Sequence, residues 1–206
     1  IETLQGPARK DLEAQARFLG IMEREAGRMS RLIEDLLSLS RVESQERVRP
    51  TQKVDIAGLV TSASMTLGPQ AGDADVTLKV IGAEEPVEVL GDGDQLLQVF
   101  TNLMENGIKY GGGLVTVEIA QQDRDPMLRG PAVRIEVSDN GEGIDSLHIP
   151  RLTERFYRID SHRSREMGGT GLGLAIVKHI VNRHRGRFRI DSQKGQGSRF
   201  TVVLPV

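Results

Sequence analysis

The chain has 206 residues, of which 38% are hydrophobic and 27% are charged, a composition typical of a globular protein. Its formal net charge of -2, its 3% aromatic content and its lack of tryptophan argue against a nucleic-acid-binding protein. Because the chain has no cysteine, disulfides and thiolate metal sites are excluded. The sequence also contains no apolar run of about 18 residues, the length that a membrane span needs.

A long helix is predicted to begin near Asp11, after a helical end at residues 1–6 that Gly6 and Pro7 close. Its apolar positions, spaced by three and four, are Leu19, Met22, Ala26, Met29, Ile33 and Leu36, with Phe18, Leu32, Leu37 and Leu39 beside them. Its opposite face carries Arg24, Glu25, Arg28, Arg31, Glu34 and Asp35. The apolar face has to pack on a partner helix, another chain or both. The alternative, a helix lying on a membrane, fits the mixed charge of the polar face less well.

A second unit is predicted from residue 49, because the periodicity stops after Ser44 and Pro50 follows. Asp55 is expected to cap a short helix that ends near Leu67, and Asp92 to cap a strongly patterned helix over 94–110. Strands are predicted at 76–81, 87–90, 114–120, 133–138, 188–192 and 198–204. This order predicts an α/β (α+β) sandwich with a mixed sheet, not a doubly wound parallel sheet.

The stretch 168–177 places four glycines, Gly168, Gly169, Gly171 and Gly173, directly before the pattern of an apolar helix. Glycine allows the backbone to approach a bulky ligand, and a helix start presents free N–H groups and a positive dipole end. We interpret the stretch as a phosphate cradle, with the polar run 158–167 as a mobile flap beside it. The alternative is a helix that simply begins with a flexible loop. The P-loop lysine and the strand of a dinucleotide-binding motif are both missing here.

Two further stretches carry candidate ligands. On the helix over 94–110, Gln98, Asn102, Asn106 and Lys109 form a polar stripe. Asparagine is a poor helix former, so this pair suggests amide ligands for a Mg²⁺ ion whose charge phosphates balance. Further on, Asp139 ends a strand before two glycines, which fits a carboxylate that accepts a hydrogen bond from a purine amine. Solvated asparagines and an ordinary β-turn are the respective alternatives.

Taken together, these motifs resemble the N, G1 and G2 boxes of sensor histidine kinases. They are Asn102-x-x-x-Asn106-x-x-Lys109-Tyr110, Asp139-x-Gly141-x-Gly143 and Gly169-Thr170-Gly171-Leu172-Gly173-Leu174. Residues 153–160 resemble the F box, and residues 19–43 look like the second helix of the dimerisation and histidine-phosphotransfer domain. The details are most similar to the phosphate-regulon type of sensor. The resemblance implies a Bergerat-type ATP-binding fold over 49–206, behind a helical-hairpin remnant over 1–48.

The resemblance also implies ATP and Mg²⁺ as cofactors and gives each residue a role. Asn106 would coordinate Mg²⁺ with Asn102 nearby, while Lys109 and Arg158 would neutralise phosphate charge. The other nucleotide-binding residues would be Tyr110, Asp139, Gly141, Gly143, Ile144, Gly169, Thr170, Gly171, Leu172, Gly173 and Leu174. Gly141 and Gly143 would leave room for the flat ring of the base. The implied reaction passes the γ-phosphoryl to a histidine and then to an aspartate of a response regulator.

Asn102 separates this interpretation from a hydrolytic ATPase. Gyrase-type ATPases of the same superfold carry a water-activating glutamate at that position, and an amide cannot serve as a general base. Glu105 is expected to point away from the site. A module that binds ATP without transferring phosphate is the other alternative, and the four intact motifs argue against it.

The acceptor histidine is expected before residue 1, because His148, His162, His179 and His184 all lie outside the bundle helix. Each of these four is expected to have an ordinary surface or packing role. Since the chain begins in mid-pattern and without methionine, we expect a fragment that binds ATP without phosphorylating itself. The implied partners are a second copy, through the hairpin, and a response-regulator receiver domain. The implied location is the cytoplasmic side of a bacterial inner membrane, reached only through upstream segments.

Overall fold

The computed structural model describes residues 11–45, 48–159 and 169–206. The first helix, α1 (Leu12–Ser44), begins where the sequence predicts. Asp11 caps it, since the Oδ1 atom accepts hydrogen bonds from the N–H groups of Glu13 and Ala14 at 3.1 and 3.0 Å. The helical end predicted at residues 1–6 lies outside the described residues.

The second unit alternates strands and helices. In chain order, its elements are β1 (Gln52–Asp55), α2 (Ile56–Asp73), β2 (Thr77–Ile81), β3 (Glu88–Gly91), α3 (Gly93–Tyr110), β4 (Leu114–Gln122), β5 (Ala132–Asp139), a 3₁₀ turn (Ile149–Arg151), α4 (Gly173–Arg183), β6 (Arg187–Ser192) and β7 (Ser198–Pro205). Five strands form one sheet in the order β2-β4-β5-β7-β6, in which β2 and β4 are parallel and the other pairs antiparallel. The predicted mixed sheet is therefore confirmed.

Two local predictions differ from the structure. The predicted end of α2 near Leu67 is wrong, since the helix continues to Asp73 with Pro69 inside it. Leu67 and Ala71 are both buried, so packing of this extra turn outweighs the helix-breaking tendency of Gly68 and Pro69. The sequence analysis also missed β1, a four-residue strand that pairs antiparallel with β3. Its short and largely polar sequence carries little strand signal.

The hydrophobic core lies between the five-stranded sheet and its helices. Side chains at alternate positions of β4 and β5, including Val117 and Ile135, are fully buried. Phe100, Leu103 and Met104 of α3 are likewise fully buried, and α4 packs beside α3 and against β6 and β7. One stripe of α3 is therefore fixed in the core, which leaves its polar stripe at the edge of the layer.

The apolar face of α1 divides into two parts. Leu39 and Val42, near its C-terminal end, are 2% exposed and belong to the core of the second unit, with α1 packing against α4. Leu19, Met29 and Ile33, from the predicted seam, are more than half exposed. The helix thus presents one docked surface and one open surface. Within the described ranges, no helix has the length and apolar character needed to cross a membrane.

Candidate functional site

The polar stripe of α3 lies against the start of α4. Asn102 Nδ2 is 3.5 Å from the carbonyl oxygen of Gly173, the first residue of α4. Asn102, Asn106 and Lys109 are all partly exposed, because the opposite stripe of α3 is buried. The structure therefore brings the asparagine motif and the glycine segment (residues 169–173) together, although Asn102 and Gly173 are 71 residues apart along the chain.

The glycine segment is crossed by the predicted F box. The N–H of Phe156 donates a hydrogen bond to the carbonyl of Gly171 at 2.8 Å. Gly171 has a φ of +75°, and a side chain there would lie 3.3 Å from Cγ of Arg158. Arg158 is thus placed beside the glycine segment, as its predicted phosphate role requires. Gly168 and most of the predicted flap lie outside the described residues.

The other predicted residues of this segment have different surroundings. Gly169 and Thr170 are partly exposed, and so is Leu174, which packs against the edge of the core. The side chain of Leu172 is fully buried, so this residue could reach a ligand only through its backbone. Its N–H lies 3.3 Å from Oγ1 of Thr170 and forms a hydrogen bond with it. The segment therefore offers mainly backbone groups and one hydroxyl.

Asp139 stands at the end of β5, in the middle of the sheet. Its Oδ1 atom accepts hydrogen bonds from the N–H groups of Gly141 at 2.9 Å and Ser198 at 3.2 Å. Burial raises the pKa of the Asp139 carboxyl above its ordinary value, and these hydrogen bonds oppose the rise. The carboxylate is thus held in a fixed position before any ligand arrives.

The glycines after Asp139 make close backbone contacts. A Cβ at Gly141 would lie 2.6 Å from the carbonyl oxygen of Tyr110, so this turn packs on the end of α3. Gly143, with a φ of +67°, lies against the carbonyl of Gln193. The sequence analysis gave both glycines the task of leaving room for a flat ring. In the structure, protein backbone occupies the space that a side chain would need at both positions.

Two predicted walls of the base pocket stand at the edge of the core. Ile144 is partly buried, and its N–H donates to Oγ of Ser192 at 2.8 Å. Tyr110, the last residue of α3, is 40% exposed and its backbone touches Gly141. Apolar and aromatic surface is therefore available beside Asp139, as an adenine site requires.

Two acidic residues in contact with the site were given no role there by the sequence analysis, which expected Glu105 to point away from it. Glu105 Oε2 lies 2.6 Å from Nζ of Lys109, so the predicted phosphate-binding lysine has an acidic partner within its own helix. Asp35, which the sequence analysis placed on the charged face of α1, accepts a hydrogen bond at Oδ2 from Oγ1 of Thr170 at 2.6 Å. Burial raises the pKa of Asp35, and the Thr170 hydrogen bond opposes this.

A sequence signal for Asp35 does exist. Asp35, Leu39 and Val42 recur at helical spacing, so the apolar stripe that docks on the second unit also contains the carboxylate. Ser38 belongs to the same face, and its hydroxyl donates to Oε1 of Gln98 at 2.7 Å. The heptad seam of the helix dominates its pattern and hides this second face.

The C-terminal end of α1 is tied to α4 by charged groups. Glu43 forms an ion pair with Arg155 and lies 3.4 Å from Nε2 of His179. Arg183 is 7% exposed, and its Nε donates to the carbonyls of Gln45 at 3.3 Å and Val48 at 3.2 Å. These contacts fix the orientation of the last turns of α1 on the second unit.

The three described histidines have structural partners. His184 is buried at the end of α4, where Nε2 accepts from the N–H of Asp92 at 3.0 Å and Nδ1 donates to the carbonyl of Ile180 at 2.8 Å. His148 shares a 2.6 Å hydrogen bond with Tyr157. None of the described histidines lies on α1, as the sequence predicts, and His162 lies outside the described residues.

The donor set determines what kind of metal ion fits. In the described part of the chain, no three His, Asp or Glu side chains cluster closely enough to hold a metal ion. Near the glycine segment lie the amide of Asn102 and the Thr170 hydroxyl, with the amide of Asn106 one turn further along α3 and the Asp35 carboxylate bonded to Thr170. The amide oxygens are neutral ligands that fit Mg²⁺ when phosphates supply most of the negative charge. The Lys109 ammonium cannot bind a metal ion but can neutralise phosphate oxygens. The site therefore has the composition expected for a magnesium-polyphosphate ligand.

Comparison with known proteins identifies relatives along the whole chain. Residues 91–206, more than half of it, match the family described as histidine kinase-, DNA gyrase B-, and HSP90-like ATPase. Residues 1–45 match the His Kinase A (phospho-acceptor) domain. The phosphate regulon sensor protein PhoR of Pseudomonas aeruginosa is 39% identical over 186 residues, covering 90% of this chain and 40% of PhoR. Sensor protein kinase WalK of Staphylococcus aureus is 36% identical over 209 residues, covering 100% of this chain and 48% of WalK.

The chain thus spans less than half of the length of these relatives. Among solved structures, full-length ShkA in complex with AMPPNP has a TM-score of 0.73 at 25% identity, over 96% of this chain and 40% of ShkA. The mycobacterial sensor histidine kinase MprB has a TM-score of 0.62 at 27% identity, over 75% of this chain and 97% of that one. The chain therefore belongs to the histidine kinase-, DNA gyrase B-, and HSP90-like ATPase family, as a sensor histidine kinase core of two-component signalling with an ATP-binding domain.

Proposed function

We propose that this chain binds Mg-ATP and transfers its γ-phosphoryl to a histidine of a sensor kinase, from which it passes to an aspartate of a response regulator. The observation that carries the proposal is the contact between Asn102 and Gly173. It joins the amide stripe of α3 to the glycine segment, so a polyphosphate can meet both at once. The N–H groups and dipole of the α4 start favour an anion at the same place.

Each predicted residue has a task in this proposal. Mg²⁺, when bound with ATP, supplies charge neutralisation, and Asn106 is its protein ligand with Asn102 beside it. Lys109 and Arg158 hold the phosphate oxygens, and the backbone of the glycine segment surrounds them. Asp139 accepts a hydrogen bond from the adenine amino group, which guanine cannot offer at that position.

The site is suited to phosphoryl transfer rather than hydrolysis. Asn102 cannot remove a proton from water, since an amide has no useful basicity. Glu105 is the nearest carboxylate on the same helix, and in the structure it is paired with Lys109. A histidine nucleophile needs no such base, because its neutral ring nitrogen carries a lone pair.

The division into units and the partners are part of the proposal. We place the dimerisation and phosphotransfer remnant at residues 1–48 and the catalytic ATP-binding domain at 49–206. The gap between α1 and β1 and the separate family matches support this division. The exposed apolar residues of α1 support pairing with a second copy in a homodimer. The receiver domain of a response regulator and the cytoplasmic location stay predictions from the resemblance.

Transfer in trans tests the proposal. A longer version of this kinase with its acceptor histidine and an Asn106→Asp substitution serves as recipient, at an ATP concentration that occupies the unaltered donor site but leaves the weakened site of the recipient largely empty. This chain, loaded with radiolabelled Mg-ATP, is expected to label the recipient, whereas an Asn106→Asp donor is not. A folded, ATP-bound donor that leaves the recipient unlabelled would contradict the proposal and favour a nucleotide-responsive binding module. Release of phosphate without labelling would indicate a hydrolytic ATPase instead.

A further inference from the structure

We propose that Asp35 of α1 forms an autoinhibitory contact with Thr170, which opposes the binding of a nucleoside triphosphate while α1 is docked. The inference rests on the proposed function, in which the phosphates lie between Lys109 and the glycine segment. It adds a regulatory role for a carboxylate that belongs to α1 and not to the ATP-binding domain. The consequence is that docking of α1 and binding of ATP compete.

The first argument is the geometry of the contact. Oγ1 of Thr170 donates its single proton to Oδ2 of Asp35 at 2.6 Å and accepts from the N–H of Leu172 at 3.3 Å. The Thr170 hydroxyl has no second proton to donate while it is bonded to Asp35. One backbone N–H at the start of α4 is also used within the segment. Both groups would otherwise be available to phosphate oxygens.

The second argument is charge. Asp35 is half-buried, and the electrostatic effects of Glu105 and Lys109 both reach its carboxyl group. Lys109 is itself paired with Glu105 at 2.6 Å. The Lys109 ammonium therefore partly neutralises two carboxylates, those of Asp35 and Glu105. A triphosphate bound at the same place would bring further negative charge. Repulsion between partly buried charges is screened less than on an open surface, so the triphosphate favours a state in which Asp35 has moved away.

The third argument is that Asp35 is held in place by a whole surface. Leu39 and Val42 bury their side chains in the second unit, and Ser38 binds Gln98. Glu43 adds its contacts with Arg155 and His179. The carboxylate cannot leave Thr170 without loosening this docked surface. Because coupling is reciprocal, ATP should weaken docking by the factor by which docking weakens ATP binding.

Calorimetric titration with Mg-ATP tests the charge. Asp35→Asn keeps an oxygen that can accept the Thr170 hydrogen bond but removes the negative charge, and Asp35→Ala removes both. Both variants are expected to bind Mg-ATP about fivefold more tightly than the unaltered chain, a factor within the usual range of allosteric coupling. Glu34→Gln is the matched control, since it removes an exposed carboxylate from the adjacent position. It is expected to change the affinity less than about twofold.

A distance measurement tests the coupling independently of affinity. The chain has no cysteine, so spin labels can be attached at Arg31→Cys on α1 and Lys194→Cys on the second unit, both exposed positions. Saturating Mg-ATP is expected to broaden or shift the distance distribution, whereas adenosine, which has no phosphates, is not. Asp35→Asn should show the altered distribution to a greater extent at low ATP concentration.

The outcomes separate the two proposals. If the unaltered chain binds no Mg-ATP, the proposed function fails and this inference fails with it. If that chain binds Mg-ATP but both Asp35 variants have its affinity, or Glu34→Gln tightens binding equally, only the autoinhibitory contact is overturned. A spin-label distance distribution that is the same with and without Mg-ATP would also contradict the autoinhibitory contact. Circular dichroism melting of each variant confirms that the compared chains are folded.

Discussion

The two glycine-bearing segments of the site are held in different ways. The segment after β5, residues 139–144, is fixed by the sheet, since Asp139 accepts from Ser198 of β7 and Ile144 donates to Ser192 of β6. The glycine segment at 169–173 is held instead by Asp35 of α1 and by the chain that crosses it at Phe156. The proposed base end of the site is thus part of the fold, whereas the proposed phosphate end depends on how α1 is docked. Affinity for the base and for the phosphates should therefore respond to different substitutions.

The largest expected effect lies at the base end. Asp139→Asn keeps an oxygen for the N–H groups of Gly141 and Ser198, but it turns an amide donor or a neutral acceptor toward the adenine amino group. Loss of a hydrogen bond to a charged group costs about 1.5–3 kcal/mol, so calorimetry should show ATP affinity reduced about 10- to 100-fold. Asp145→Asn, at an exposed carboxylate in the same loop, should leave it unchanged. Equal affinities for both variants would remove Asp139 from the base site.

The next effect tests the metal side of the phosphate end. Asn106→Asp adds a negative charge beside the phosphates and should weaken Mg-ATP binding about tenfold, since a charge pair at a partly solvated site is worth a few kcal/mol at most. The same amide-to-carboxylate change at exposed Asn182 of α4 is the control and should have no effect on a calorimetric titration. An unchanged affinity for Asn106→Asp would contradict its assignment as the metal ligand.

A smaller effect of opposite sign is expected at Glu105. Glu105→Gln releases Lys109 from its 2.6 Å ion pair and removes one carboxylate from the phosphate end. A partly exposed pair of this kind contributes about 0.2–1 kcal/mol, so Mg-ATP should bind more tightly by up to about fivefold. Glu154→Gln, which breaks the exposed pair with Arg151, provides the comparison. Weaker binding by Glu105→Gln would show that the carboxylate assists the nucleotide rather than competing with it.

The last prediction concerns stability rather than ligand binding, at the C-terminal end of α4. Burial lowers the pKa of His184 below its ordinary value of 6.5. Just below pH 6.5, His184 is therefore protonated in the unfolded chain but not in the folded chain. The free energy of unfolding should therefore fall as pH drops through 6.5, by at most about 1.4 kcal/mol per pH unit from this group. In urea titrations, His184→Gln should lack this part of the slope. An identical pH slope in both chains would mean that the pKa of His184 is the same in the folded and unfolded states.

Local signals in the sequence predicted most elements of the second unit. The caps Asp55 and Asp92 predicted the starts of α2 and α3 correctly, and the apolar stripe of α3 predicted its extent, because each depends on residues within one or two turns. The glycine segment and Asp139 were singled out for the same reason. By contrast, β1 and the last turn of α2 exist through pairing and burial against residues distant in sequence. No local pattern contains that information.

Contacts between the two units lay beyond prediction from local patterns for a similar reason. The pairing of Asp35 with Thr170 joins positions 135 residues apart, and the sequence around Asp35 does not indicate which residue it will bind. The Lys109–Glu105 pair does follow from a four-residue helical spacing. The sequence analysis considered Glu105 only in relation to Asn102 and expected it to point away from the site.

The buried guanidinium of Arg183, bonded to the carbonyls of Gln45 and Val48, marks a pivot. The 33 residues of α1 make a rod about 50 Å long that extends from this point. A swing of only 10° about the pivot displaces the far end of the rod by roughly 9 Å, and conversely a large push there becomes a small movement beside Thr170. A tilt of α1 about this point would move its far end several times farther than the carboxylate of Asp35, which lies nine residues before the end of the helix at Ser44.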